Sequence, residues 1–393
     1  MNKFVYADNA ATTPISPYVL DAMMPHLTSE YGNASSLYSI GQKTKQAMEE
    51  SRQKVADAIG AKSKDEIIFT AGGSESDNLA LKGYMFGRSR KGTHIITSKI
   101  EHHALLETCN FLEKQGFEVT YLDVDGNGMI SLDDLKAAFR PETAIVSIMS
   151  ANNEVGTIQP IKEIGTLCRE NGIIFHTDAV QAIGHMPIDV VDMNIDMLSL
   201  SGHKINAPKG VGALYCRKGI HLEPVIHGGG QERRLRGGTE NMASIVGLGA
   251  AIEHSIANID ANTAHAKALR DRLIEGVMKI PYTHLTGHPE TRLPGTASFV
   301  FEAIEGEGLL LWLDMNGICA STGSACASGS LDPSHVLMAM GLPHEIAHGS
   351  LRLTLAHQNT VEDVDYLIEK LNEIVNRLRQ MSPIWETMMK ENN

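Results

Sequence analysis

Cysteine is scarce in this chain. Cys109, Cys168, Cys216, Cys319 and Cys326 make an odd number, and none belongs to a Cys-x-x-Cys pair. That pattern argues against a disulfide framework and against a structural zinc site. No run of 18 consecutive apolar residues occurs, so no stretch reads as a membrane-spanning helix. The opening residues, Met1-Asn2-Lys3-Phe4-Val5-Tyr6-Ala7-Asp8, lack the apolar centre of a signal peptide, and a cytoplasmic protein is expected. Basic charge is in deficit: 34 Lys and Arg against 47 Asp and Glu leave a net charge of −13. That balance provides no electrostatic footprint for nucleic acid or for anionic lipid.

What is present is ordinary for a soluble globular protein: 42% hydrophobic and 21% charged residues over 393 positions, enough for two domains. Short β-branched runs alternate with helical stretches through the first two-thirds. Residues 66–70, 94–98, 119–124, 144–149, 173–177, 197–201 and 212–216 read as strands. Residues 41–59, 76–87, 104–114, 161–171 and 241–259 read as helices. Alternation of this kind predicts an α/β fold with a mostly parallel seven-stranded sheet covered by helices. Ligands in such sheets bind beyond the carboxyl ends of the strands. After about residue 262 the texture changes to a charged helix, a strand over 295–301, a helix over 306–316, a Gly/Ser loop and further helices. This predicts a smaller α+β domain.

Chemistry concentrates at the predicted strand ends. Lys204, in Ser201-Gly202-His203-Lys204, follows one strand, and Asp178, in Asp178-Ala179-Val180-Gln181, ends the strand before it. An amine to capture an aldehyde, a carboxylate for a pyridinium nitrogen and hydroxyls for a phosphate together suit pyridoxal phosphate. Gln181 is placed to meet the ring's phenolate oxygen. The glycine-rich turn Thr70-Ala71-Gly72-Gly73-Ser74 runs from a strand into a helix, where bare N–H groups bind phosphate. Glu101-His102-His103 follows another strand, and an imidazole there stacks on a planar ring. In Ser321-Thr322-Gly323-Ser324-Ala325-Cys326, small residues surround an accessible cysteine suited to act as a nucleophile. Cys319, between Ile318 and Ala320, reads instead as a small buried hydrophobe. Arg352 lies in an alternating strand and suits a bidentate clamp on a substrate carboxylate. Residues 123–134, which open Asp123-Val124-Asp125-Gly126-Asn127-Gly128 and close on Asp133-Asp134, have oxygens at positions 1, 3, 5, 9 and 12 of a calcium loop and glycine at position 6. The segment follows a strand-like run, however, and an Asn-Gly turn leading into a helix capped by Ser131 explains it more simply.

With these motifs in hand, the sequence resembles the cysteine desulfurases of the NifS/IscS branch, in the class-V aminotransferase family of fold-type-I pyridoxal-phosphate enzymes. The likeness runs from Tyr6-Ala7-Asp8-Asn9-Ala10-Ala11-Thr12-Thr13 through Asn152-Asn153-Glu154-Val155-Gly156. It continues through His227-Gly228-Gly229-Gly230-Gln231-Glu232 and Gly238-Thr239-Glu240-Asn241 to the Gly323–Cys326 loop. The resemblance implies that Lys204 carries the cofactor and shuttles protons, Asp178 pairs with the ring nitrogen, Gln181 contacts the phenolate oxygen and His102 stacks on the ring. Gly73, Ser74, Ser201 and His203 hold the phosphate, with Thr239 reaching over from the second subunit of a homodimer. Asn153 borders the cofactor and joins Arg352 in holding the carboxylate of L-cysteine. Cys326 takes the sulfur as a persulfide, releasing L-alanine, and passes it to an iron–sulfur scaffold or another acceptor such as a tRNA-thiolation enzyme. No intrinsic metal is implied, although Cys326 is a candidate transient ligand of a cluster shared with a scaffold. The implied division is a large cofactor-binding domain over 13–260 and a small domain of 1–12 with 261–393 carrying the Cys326 loop. Ala34 and Tyr38 stand where relatives commonly have Pro and His, and His357-Gln358-Asn359 replaces a stretch that often contains Arg. The competing readings are a selenocysteine lyase or aminotransferase of the same fold, and a non-enzymatic calcium-binding or scaffold protein.

Overall fold

The computed structural model of the protein describes residues 3–88, 90–323 and 333–391. A seven-stranded sheet lies at its centre, in the order Ile67–Thr70, Gly212–Cys216, Met197–Ser201, Ile174–Asp178, Thr143–Ser147, His94–Ser98, Glu118–Leu122. Four pairings are parallel, whereas Gly212–Cys216 runs antiparallel to both neighbours. The sheet is therefore mostly parallel, as the alternating pattern predicts.

Side chains alternate across the sheet with the two-residue period of a strand. Ile67 and Phe69 face one core and Ile68 the other; Ile96 and Ile95 divide in the same way. On the first face the helices Ser39–Ala58 and Met242–Ala257 supply Met48, Val55, Ile245 and Leu248. On the second, Gly73–Phe86 and His103–Lys114 supply Leu79, Leu81, Tyr84 and Leu105. Strands covered on both faces must be apolar throughout, and the central ones are buried at almost every position. The edge strand Glu118–Leu122 buries only Leu122.

A separate core gathers Val5, Leu269, Phe299, Leu309, Leu351 and Leu367. Its frame is a three-stranded antiparallel sheet, Ser350–Thr354, Thr296–Phe301 and Thr283–Leu285, covered by Ile259–Val277 and Val361–Gln380. Val5–Tyr6 pairs with Ile318–Cys319, so the start of the chain joins this second core. Gln358 and Asn359 help to hold it there, donating to Asn9 Oδ1 (2.6 Å) and to the Tyr6 carbonyl (3.0 Å).

Three local features depart from the sequence reading. The helix expected from 76 begins at Gly73, because Gly72, at φ 153°, takes a backbone conformation open to glycine and serves as the N-cap. Gln181, whose spacing of three residues from Asp178 predicts a place on the same helical face, lies in a series of turns and not in a helix. Cys319 is half-buried, not enclosed, because its short strand lies at an edge. Among the described residues, no single helix is long and apolar enough to cross a membrane.

Candidate active site

Five connections leave the carboxyl ends of strands of the large sheet and converge on one cavity of about 360 Å³. It is lined by Gly73, Ser74, His102, Asn153, Asp178, Gln181, Ser201, His203, Lys204 and Arg352, all singled out in the sequence. Close backbone contact makes this convergence possible. Gly212 pairs with Ser201, and a Cβ on Gly212 would stand 2.7 Å from Gly72 Cα, so only a bare backbone lets the Gly72–Ser74 turn sit beside Ser201.

Lys204 ends the single 3-10 turn Gly202–Lys204, and its Nζ donates to the carbonyls of Ala10 and Ala11. Gln181 Nε2 donates to the same Ala10 carbonyl at 3.0 Å. The segment Ala10-Ala11 thus fixes both side chains through its backbone, which leaves no signature in residue type. Asp178 closes its strand with Oδ1 accepting the Val180 N–H at 2.9 Å. Burial pushes the Asp178 carboxyl up, while His102, the Val180 N–H and Lys204 pull it down. His102 is the N-cap of His103–Lys114: its Nδ1 accepts the Ala104 N–H at 3.1 Å, which assigns the proton of the neutral ring to Nε2. Burial lowers the pKa of His102, so the ring is neutral near pH 7. His203 is pushed down to about 4 by burial and by Lys204 and Lys209, and its Nδ1 lies 3.1 Å from Thr12 Oγ1.

Arg352 is 3% exposed. It donates Nη1 to the Asn153 carbonyl and Nη2 to Asp8 Oδ1, each at 2.9 Å. Its Nε has no hydrogen-bond partner among the described residues. An unsatisfied buried guanidinium N–H beside a cavity is a place for an incoming anion.

Sequence reasoning missed two acids. Asp77 lines the cavity, 1% exposed, with no hydrogen-bond partner for Oδ1 among the described residues; Oδ1 stands 3.8 Å from His176 Nε2. Its place three residues after Ser74 on one helix was the available signal. Glu101, fully buried, accepts the Met149 N–H and the Ser98 hydroxyl, and so ties the loop before His102 to the loop before Asn153. Burial raises its pKa to about 8.

One expected residue is not among those lining this cavity: Thr239 is exposed on the 227–240 loop. Cys326 lies outside the described residues. Asp125 Oδ1 accepts the Asn127 and Met129 N–H groups within a turn, and Asp123 pairs with Lys99, so two of the calcium-like segment's acids are engaged within the protein.

The cavity has the donor set that the sequence predicts for pyridoxal phosphate. It offers an amine, an opposing buried carboxylate, and a glycine turn at a helix N-terminus with Ser201 and His203 alongside. The comparisons agree with that class. The description "Aminotransferase class-V" matches residues 5–367, and the chain belongs to that family. It is 60% identical over 383 residues to the "Cysteine desulfurase IscS" of Methanosarcina thermophila, covering 98% of this chain and 95% of that one. It is 58% identical to the protein of the same description from Clostridium botulinum (strain Hall), covering 99% of both. Among solved structures, a "NIFS-LIKE PROTEIN" superposes with a TM-score of 0.90 at 40% identity, covering 96% of this chain and all of that one. "SspA in complex with cysteine" superposes with a TM-score of 0.80 at 41% identity, covering 89% and 98%.

Proposed function

We propose that this chain is a pyridoxal-phosphate-dependent cysteine desulfurase, converting L-cysteine to L-alanine and leaving the sulfur as a persulfide on Cys326. The observation that carries this reading is the convergence of ten residues of the desulfurase pattern on one cavity, Lys204 and Asp178 among them. Near-full-length identity to proteins described as cysteine desulfurases supports it.

When bound, the cofactor supplies an electron sink for the carbanion character that weakens the substrate's Cβ–S bond. Asp178 keeps negative charge at the ring nitrogen, and neutral His102 offers a flat face without competing charge. Gly73, Ser74, Ser201 and His203 hold the phosphate, with Thr239 of a second subunit completing the set. Arg352 takes the substrate carboxylate through its Nε, which has no hydrogen-bond partner among the described residues, while Asn153, whose carbonyl accepts from Arg352, orients that edge. Lys204 Nζ, held at the cavity, moves the proton of the substrate Cα. The Cys326 sulfur bonds to the substrate sulfur as the Cβ–S bond breaks. The carbon keeps the electron pair and gains a proton, so one thiol and one cysteine become one persulfide and one alanine.

A homodimer is supported by apolar side chains left exposed around one helix, Tyr18, Leu20, Met24 and Leu27, and beyond it Tyr31 and Leu37. The onward acceptor is an iron–sulfur scaffold or another sulfur carrier, and the net charge of −13 argues against direct contact with nucleic acid. The place of action is the cytoplasm. Separate cores on either side of the active-site cavity support the division into 13–260 and 1–12 with 261–393.

The test is a single turnover with L-cysteine, quantifying alanine and locating the added sulfur by mass spectrometry. Alanine with one sulfur atom on Cys326 is expected. Alanine from the Cys326→Ala variant at the parent rate would show that the nucleophile is misassigned.

A further inference from the structure

Glu154 follows Asn153 in the Asn152-Asn153-Glu154-Val155-Gly156 loop and is 5% exposed. A buried carboxylate is costly unless it is hydrogen-bonded, and this one meets the chain at two places far apart in sequence. Ser334 Oγ donates to Glu154 Oε2. Gly323 packs beside the same oxygen: a Cβ there would stand 2.7 Å from Oε2 and 2.9 Å from Ser334 Cβ. Gly323 and Ser334 flank the segment that carries Cys326. Eleven residues of chain span up to about 36 Å when extended, yet here both ends lie beside one carboxylate oxygen.

Each end is fixed a second time. Ser334 Oγ accepts the N–H groups of Val336 and Leu337, capping His335–Ala339, so its one hydroxyl proton is left for Glu154. On the leading side, the Arg352 N–H donates to the Ser321 carbonyl at 2.7 Å, and Ser321 Oγ donates to Asp8 Oδ2 at 2.8 Å. Asp8 is the acid that pairs with Arg352, and Arg352 holds the carbonyl of Asn153, the residue before Glu154. The contacts close a ring from the arginine to both ends of the segment and back. Burial raises the Glu154 pKa to about 7, with Ser334 and Arg352 opposing that rise.

We propose that Glu154 is a positioning residue that fixes both ends of the Cys326-bearing segment against the arginine-holding loop. Resting on the desulfurase reading, this assigns Glu154 a part in sulfur transfer and none in the chemistry at Lys204. Misplacing a nucleophile by about 1 Å costs up to about a hundredfold in rate, so an anchor at the segment's ends acts on transfer first.

The test compares the holoenzyme with its Glu154→Ala, Glu154→Gln and Gly323→Ala variants in three measurements. Sulfur transfer to Cys326 is followed in a single turnover. Exchange of the α-proton of L-alanine in deuterated water reads Lys204 and the cofactor without using Cys326. Protease cleavage within 324–332 reads the anchor itself, without activity. Glu154→Ala is expected to slow sulfur transfer about tenfold, the equivalent of one lost hydrogen bond, and to leave alanine exchange within about twofold. It is also expected to speed cleavage in the segment. Glu154→Gln, whose amide oxygen still accepts from Ser334, is expected to restore most of the transfer. Gly323→Ala, which drives a methyl group at the oxygen, is expected to repeat the selective loss even if Glu154→Ala fails to fold. Equal losses in transfer and exchange, or unchanged transfer and cleavage, overturn the proposal. If the parent chain exchanges alanine but places no sulfur on Cys326, the desulfurase reading fails; cleavage still decides whether Glu154 is the anchor.

Discussion

The buried pair Arg52–Glu232 ties the 227–240 loop to the strand that leads into the glycine turn of the active site. Arg52 Nη1 and Nη2 donate to Glu232 Oε2 and Oε1 at 2.7 and 2.8 Å, and Nη1 also donates to the Ile67 carbonyl at 2.9 Å. Glu232 Oε2 accepts the Phe69 N–H at 2.9 Å, and the guanidinium stacks 4.6 Å from the Phe69 ring. Both side chains are almost fully enclosed, 2% and 3% exposed. Glu232→Ala strips a buried cation of its bidentate partner and leaves the Phe69 N–H without an acceptor. Breaking such a pair costs about 3–5 kcal/mol. The remaining carboxylate contact, Arg52 Nε to Glu49, involves a group that is 29% exposed and offsets little of that loss. A loss of about 3 kcal/mol is therefore expected for Glu232→Ala, measured by urea unfolding of the cofactor-free chain followed by circular dichroism. Omitting the cofactor removes stabilisation by ligand binding from the comparison. Adding Arg52→Met to Glu232→Ala is expected to cost nothing further, because it removes the uncompensated charge. A loss below about 1 kcal/mol for the single variant, or a double variant that loses the sum of both changes, would refute the assignment of this pair as the tie.

Four further outcomes are expected. Lys204→Ala abolishes the borohydride-fixed link between chain and cofactor seen by mass spectrometry, whereas Cys326→Ala keeps that link and loses the persulfide. Arg352→Ala raises KM for L-cysteine about a hundredfold, the kinetic equivalent of a lost charge-assisted clamp, with a smaller effect on kcat. Folded Glu101 keeps its proton up to about pH 8, whereas unfolded it releases the proton near its ordinary 4.5, so folding stability falls as pH rises through that window. His176, pushed down to about 3 by burial, acts in the opposite sense, its contribution being lost as pH falls below 6.5. Between pH 6.5 and 8 Glu101 by itself accounts for a loss of about 2 kcal/mol, read in chemical unfolding as the difference between the parent chain and Glu101→Gln.

The alternation of apolar runs made the sheet and its covering helices legible, because a strand buried on both faces must be apolar along its length. Element ends were less legible: the helix after the glycine turn starts at Gly73, where backbone geometry at Gly72 and not side-chain periodicity sets the boundary. The active-site residues were legible because they sit one after another at strand ends, each beside recognisable neighbours. Ala10 and Ala11 were not, since they act through carbonyl groups that every residue has.

By itself, then, the sequence determined which chemistry was available: an amine at 204, an acid at 178, a glycine turn at 72–74 and a thiol at 326. These are covalent facts carried by single residues and short spacings. Only the tertiary structure decided that Asp8 pairs with Arg352 across 344 positions, that Glu154 meets Ser334 across 180, and that Asp77 faces the cavity. Such meetings depend on how two separate cores close against each other, and local periodicity carries no record of that closure.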